Sequence, residues 1–150
     1  MLSLRDFLMK AKKHSYASGH AAEVLADGCH EFTFQEGEFL YRDRYFGENP
    51  FVGEEVVWQN GKAVWAMNFY GGVMSAAAPE GEVYAFLQKA MRQLRPERPF
   101  RGPEAFTDGA YEYRDESQGA LDAFVGAERI FYQGQDVYRL HYHGGRVGSH

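Results

Sequence analysis

The chain has 150 residues, a single cysteine and a formal net charge of -5, with a sequence pI near 5.7. One thiol excludes an internal disulfide, the acidic balance lacks the basic footprint of a nucleic-acid binder, and no run approaches the ~18 apolar residues of a membrane-spanning helix. No apolar stretch precedes Ser3, so no secretory signal is read, and a cytoplasmic protein with no membrane partner is expected.

Ser3 is placed to cap a helix on which Leu4, Phe7, Leu8 and Ala11 recur at helical spacing. Asp6 stands at the third position, as in a capping box, and the helix is expected to end near His14. Lys10, Lys12 and Lys13 read as its solvated face. Residues 17–30, with Gly19 and Gly28, read as a loop before strands near 31–36 and 38–46, and Asn49-Pro50 then breaks the chain. Strands near 54–59 and 62–70 flank Asn60-Gly61, a pair suited to a two-residue hairpin turn because both residues tolerate positive φ. Pro79 opens a second helix through about Leu94, with Val83, Phe86, Leu87, Ala90, Met91 and Leu94 as its buried stripe. Pro96, Pro99 and Pro103 end it and extend the chain. Strands follow near 110–116, 127–133 and 136–143, the last two joined through Gln133-Gly134.

The chain also repeats itself. FVGEEVVWQNGKAVWAMNFYGG, Phe51 to Gly72, aligns without a gap with FVGAERIFYQGQDVYRLHYHGG, Phe124 to Gly145, and eight of the 22 positions are identical. Ordinary amino-acid usage gives roughly one or two by chance. Upstream, Gly37, Tyr41, Arg42 and Asp43 match Gly109, Tyr113, Arg114 and Asp115. The expected fold is α+β: an internally duplicated helix plus three-or-more-strand repeat, building an antiparallel sheet with two helices packed on one face. Residues 1–150 form one domain in this reading, with pseudo-symmetric halves at about 1–75 and 76–150.

Alternation assigns the sheet faces. With Asn60-Gly61 as the turn, Val56 opposes Trp65 and Glu54 opposes Met67, and this face, carrying Trp58 and Phe69, meets the helices. Trp65, Met67, Tyr138 and Leu140 are thus expected in a core with Phe7, Leu8, Phe86 and Leu87. The opposite, half-polar face carries Glu55, Asn68 and Tyr70 from one repeat and Glu128, His141 and His143 from the other.

Several residues on that face bear chemistry. His141-x-His143 puts two imidazoles on one side of a strand, ~6.6–6.8 Å apart along the backbone, a spacing compatible with metal ligation. A third ligand is lacking: Glu128 faces Arg139, and the first repeat offers Asn68 and Tyr70 where histidines should recur. No metal and no other cofactor is therefore expected. Glu55/Glu128, Arg42/Arg114 and Asp43/Asp115 are charged in both repeats. Cross-strand pairing explains them at ~0.2–1 kcal/mol per opposite-charge pair, while convergence near a pseudo-twofold axis would instead complete a pocket. Arg101, between prolines, reads as part of a connecting loop or as an anion contact at a rim. Cys29-His30 reads poorly as a nucleophile and base, because adjacent residues on an extended segment point apart.

EEVVWQNGKAVWAMNFYGG, PFRGP and FYQGQDVYRLHYHGG resemble the motifs of an uncharacterised bacterial domain family found alone or behind a Cro-type helix-turn-helix domain. The resemblance spans nearly the whole chain, implies sensing or regulation where that fusion occurs, and supplies no catalytic or binding residues. More loosely, helix-strand-strand-strand taken twice is similar to a circular permutation of the SOUL and gyrase-inhibitor-like effector-binding domains, which hold small ligands in a cleft between copies; this is analogy at the level of fold. The expected function is a small-molecule-binding or sensory domain, its cleft lined by Glu55, Asn68, Tyr70, Glu128, His141 and His143, with an unidentified small molecule as partner and no nucleic acid. The alternatives are a protein-interaction module, antitoxin-like or regulatory, with a protein partner, and an enzyme dependent on histidine or carboxylate.

Overall fold

The computed structural model describes residues 1–148. Helix α1 spans Leu4–Lys13 and a 3₁₀ turn Tyr16–Ser18. Strands β1 (Glu23–Val24), β2 (His30–Glu36), β3 (Phe39–Phe46), β4 (Phe51–Gln59) and β5 (Lys62–Val73) precede helix α2 (Glu80–Met91). Strands β6 (Ala105–Asp108), β7 (Tyr111–Ala120), β8 (Ala123–Tyr132) and β9 (Gln135–Arg146) follow it. All nine strands join one antiparallel sheet in the order β1-β2-β3-β4-β5-β9-β8-β7-β6, with β5 and β9 paired at its centre.

Local chemistry fixes the ends of these elements. The Ser3 hydroxyl accepts from the Asp6 backbone N–H, satisfying one of the donors left free at the start of α1. Pro79 stands at the N-cap of α2, where the chain is still extended. Asn60-Gly61 and Gln133-Gly134 have φ of 50° and 80°, and 50° and 79°, the doubly positive pattern of a tight hairpin. The apolar stripes of α1 (Leu4, Phe7, Leu8, Ala11) and α2 (Val83, Phe86, Leu87, Ala90, Met91) are buried with Trp65, Met67, Tyr138 and Leu140, the expected core.

The expected fold class requires correction. The molecule is dominated by one continuous nine-stranded sheet, 51% strand against 17% helix, and an internally duplicated helix-plus-three-strand unit does not describe it. Five strands precede α2 and four follow it, and the 3₁₀ turn and β1 fall only in the first part. The edge strands β1 and β6 lie where loop or extended chain was read, because a strand of two to four residues carries too little alternation to be recognised.

The face assignment of β4 and β8 also changes. Gln59 opposes Lys62 and Trp58 opposes Ala63, but Val57 opposes Trp65, so Val64 is an extra residue in a β-bulge. A bulge reverses the face of everything beyond it, and Glu55 therefore opposes Met67 and points at the helices. Between β8 and β9 the register shifts in the same way: Phe131 opposes Asp136, Ile130 opposes Tyr138, and Glu128 opposes Leu140 on the buried side.

Candidate functional site

The six residues expected to line one cleft lie on both sides of the sheet. Asn68 pairs with His143 and Tyr70 with His141 across β5 and β9, and all four are exposed. Glu55 and Glu128 are buried on the opposite face. Among the described residues, no group of three or more His, Cys, Asp or Glu side chains is arranged to hold a metal ion, and no helix is long and apolar enough to cross a membrane.

Both glutamates anchor buried polar clusters. Lys12, read as part of a solvated face, is instead buried: its Nζ donates to Glu55 Oε1 at 2.7 Å and to the Phe100 carbonyl at 2.6 Å. The Tyr41 hydroxyl donates to the same Glu55 oxygen at 2.6 Å. Arg101 is buried as well, neither a rim contact nor a plain connector. Its Nε and Nη2 clamp both oxygens of Glu128 at 3.2 and 2.9 Å, a fork geometry that gives direction as well as charge. Tyr113 and Tyr138 donate to Glu128 at 2.5 and 2.7 Å. Burial, reinforced by the adjacent glutamates, holds the Tyr41, Tyr113 and Tyr138 phenols well above their ordinary range, so they remain donors.

Two buried aspartates differ in their surroundings. Asp115 Oδ1 accepts from the Tyr142 hydroxyl at 2.7 Å and lies 3.3 Å from Arg98 Nη2, while the Tyr113 hydroxyl, whose proton goes to Glu128, lies 3.4 Å from Oδ2. Asp43, aligned with Asp115 in the sequence repeat, is 6% exposed, and its Oδ1 accepts no hydrogen bond among the described residues. The residue aligned with Tyr142 is Phe69, which has no hydroxyl to give. Both rings lie flat over a strand glycine: a Cβ added at Gly53 would stand 2.7 Å from Phe69 Cζ, and one at Gly126 would stand 2.1 Å from Tyr142 Cζ. Burial first, then the charge of Glu55, raise the Asp43 carboxyl from its ordinary 3.8 to about 8, against the pull of Arg101 and Lys12. Burial and Glu128 raise Asp115 to about 7, opposed by the Tyr142 hydrogen bond and Arg98.

Asp43 lines a cleft of about 450 Å³ between β2–β5 and the two helices. Lys12, Glu55 and Arg101 share its lining. A chain of rings forms the wall: His30 stacks on Tyr45 at 4.7 Å, Tyr45 meets Phe51 at 6.3 Å, and Phe51 contacts both Phe69 at 5.9 Å and Tyr84 at 6.2 Å. The Tyr84 hydroxyl is held by Asn49 Oδ1 at 2.6 Å, which ties α2 to the β4–β5 side. Arg101 lies over Phe69 at 5.4 Å. Such a cavity, apolar around a small number of buried polar groups, can orient a small molecule through a hydrogen bond at its floor.

A family model described as a domain of unknown function (DUF5680) matches residues 43–147, well over half of the chain. The chain belongs to the DUF5680 family. The matched DUF5680 span begins at Asp43 and takes in Glu55, Arg101, Asp115 and Glu128; α1 with Lys12 precedes it. No curated protein and no solved structure matches the chain.

The bulges are why simple alternation does not bring Glu55 and Glu128 to the helix-facing side. Strict alternation from the turns sends Glu55 and Glu128 to the exposed face. Asp43 and Asp115 carried a usable signal, because they stand at matching positions of the two similar segments while Phe69 stands where the other segment has Tyr142.

Proposed function

We propose that this chain is a small-molecule-binding domain whose ligand occupies the cleft between β2–β5 and the helices, not the exposed sheet face with Asn68, Tyr70, His141 and His143. The observation that carries this reading is the conjunction of an aromatic-walled cavity of about 450 Å³ with a buried, unpartnered carboxyl oxygen on Asp43. Leaving a buried acceptor unmade costs ~1–3 kcal/mol, and a ligand that supplies the donor recovers part of that cost on binding. The volume falls within the ~300–1,000 Å³ range of small-molecule sites. A sensory role belongs to the same proposal and draws support from the resemblance to a family with members behind a helix-turn-helix module.

A thermal-shift screen with a library of aromatic fragments tests it, since binding to the folded state alone raises apparent stability. Ala85 lines the cleft from the exposed side of α2, so Ala85→Trp should obstruct the mouth without disturbing the core. Stabilising fragments should act on the natural chain and lose their effect on Ala85→Trp. A screen without hits, or hits that stabilise both proteins equally, would overturn the assignment.

A further inference from the structure

Among the described residues, four carboxylates are buried on the helix-facing side: Asp43, Glu55, Asp115 and Glu128. Three cations reach them. Lys12 meets Glu55 at 2.7 Å, Arg101 meets Glu128 at 2.9 Å, and Arg98 meets Asp115 at 3.3 Å. Among the described residues, Asp43 forms no salt bridge and its Oδ1 accepts from no donor. Its aligned counterpart shows what is missing, for Asp115 has both a hydroxyl donor from Tyr142 and a guanidinium from Arg98.

We propose that the cleft takes a cationic organic amine, its ammonium group seated on the Asp43 carboxylate and its apolar body against Tyr45, Phe51, Phe69 and Tyr84. This inference rests on the cleft being the binding site and names the chemical class it admits. An ammonium supplies in one group the N–H donor and the positive charge that Tyr142 and Arg98 supply to Asp115. Ring faces further favour a cation that has left water. An anionic ligand would set a second carboxyl group against Asp43 where Lys12 and Arg101 are already committed to Glu55 and Glu128, and a neutral alcohol would supply a donor but no charge to ionise Asp43.

The titratable groups that line the cleft with Asp43 are Lys12 from α1, Tyr16 from the 3₁₀ turn, His30 from β2, Tyr41 and Tyr45 from β3, Glu48 between β3 and β4, Glu55 from β4, Tyr84 from α2 and Arg101 from the segment after α2. In this setting the free carboxyl keeps its proton at neutral pH. Seating an ammonium ionises it, and the proton passes to the buffer. The amine is already fully protonated at pH 7, so it neither takes up nor releases a proton itself.

The test is calorimetric titration of the full chain with 2-phenylethylamine, 2-phenylethanol and phenylacetate at pH 7, in buffers of different ionisation enthalpy. The amine should bind at least tenfold more tightly than either isostere and release about one proton per molecule bound. Asp43→Asn should lose the preference and the proton release. Phe69→Tyr, which offers Asp43 the hydroxyl that Asp115 receives from Tyr142, should weaken amine binding at least tenfold while raising the unfolding temperature. Circular dichroism confirms that both variants fold. If the alcohol or the acid binds as well as the amine and Ala85→Trp blocks it, the amine assignment fails and the cleft assignment stands. If the amine binds but Ala85→Trp and Asp43→Asn leave its affinity unchanged, both fail, and if none of the three probes binds the natural chain, the amine assignment fails.

Discussion

Lys12 is a single methylene-rich side chain whose charge is spent inside the protein, on Glu55 and the Phe100 carbonyl. Replacing it with methionine preserves much of the stem but leaves Glu55 buried without its cation, a change that should cost about 3–5 kcal/mol in urea denaturation; a loss below ~1 kcal/mol would mean that Glu55 is not held by this pair. Asp43 gives a prediction in pH. Its carboxyl titrates at about 8 in the folded protein and near 3.8 when unfolded, so the folded state holds more protons between those values. The stability this adds is fully present below about 4 and is lost as pH rises through about 8. Denaturation midpoints followed from pH 4 to 8 should fall more steeply for the natural chain than for Asp43→Asn, and parallel curves would contradict the assignment. Neither feature was legible one residue at a time. Lys12 sits between Ala11 and Lys13 with the signature of a surface lysine, and only the three-dimensional approach of Phe100 and Glu55 shows otherwise.

The elements themselves were largely readable. The Ser3 cap, the stripe on α2 and the Asn60-Gly61 and Gln133-Gly134 turns are local signals, complete within a few residues, and each forms where the sequence places it. A bulge is different, because one extra residue opposite Val57 or Ile130 leaves no mark in composition yet turns Glu55 and Glu128 inward. Strand β5 carries the extra residue, Val64, yet keeps its expected burial: Trp65, Met67 and Phe69 are buried and Tyr70 is exposed. Met67→Ala should accordingly cost about 2–5 kcal/mol, and Tyr70→Ser no more than about 0.5 kcal/mol. Chemical denaturation giving the opposite order would mean that the faces of β5 are reversed.

Across the whole molecule, one face of the sheet carries the helices, the buried charges and the cleft, while the other carries His141 and His143 in the open. Two sets of polar residues lie on the covered face, and they are finished differently. Around Asp115 the set is closed by Tyr142 and Arg98; around Asp43 it is left open beneath a wall of rings. The central claim is that Asp43 is kept unpaired for a ligand cation, and carbonyl-detected NMR of the Asp43 carboxyl, titrated with and without 2-phenylethylamine, tests it most directly. The account predicts a midpoint near 8 in the free protein that falls by more than one pH unit when the amine is present. A free midpoint close to the ordinary 3.8, unmoved by the amine, would contradict it.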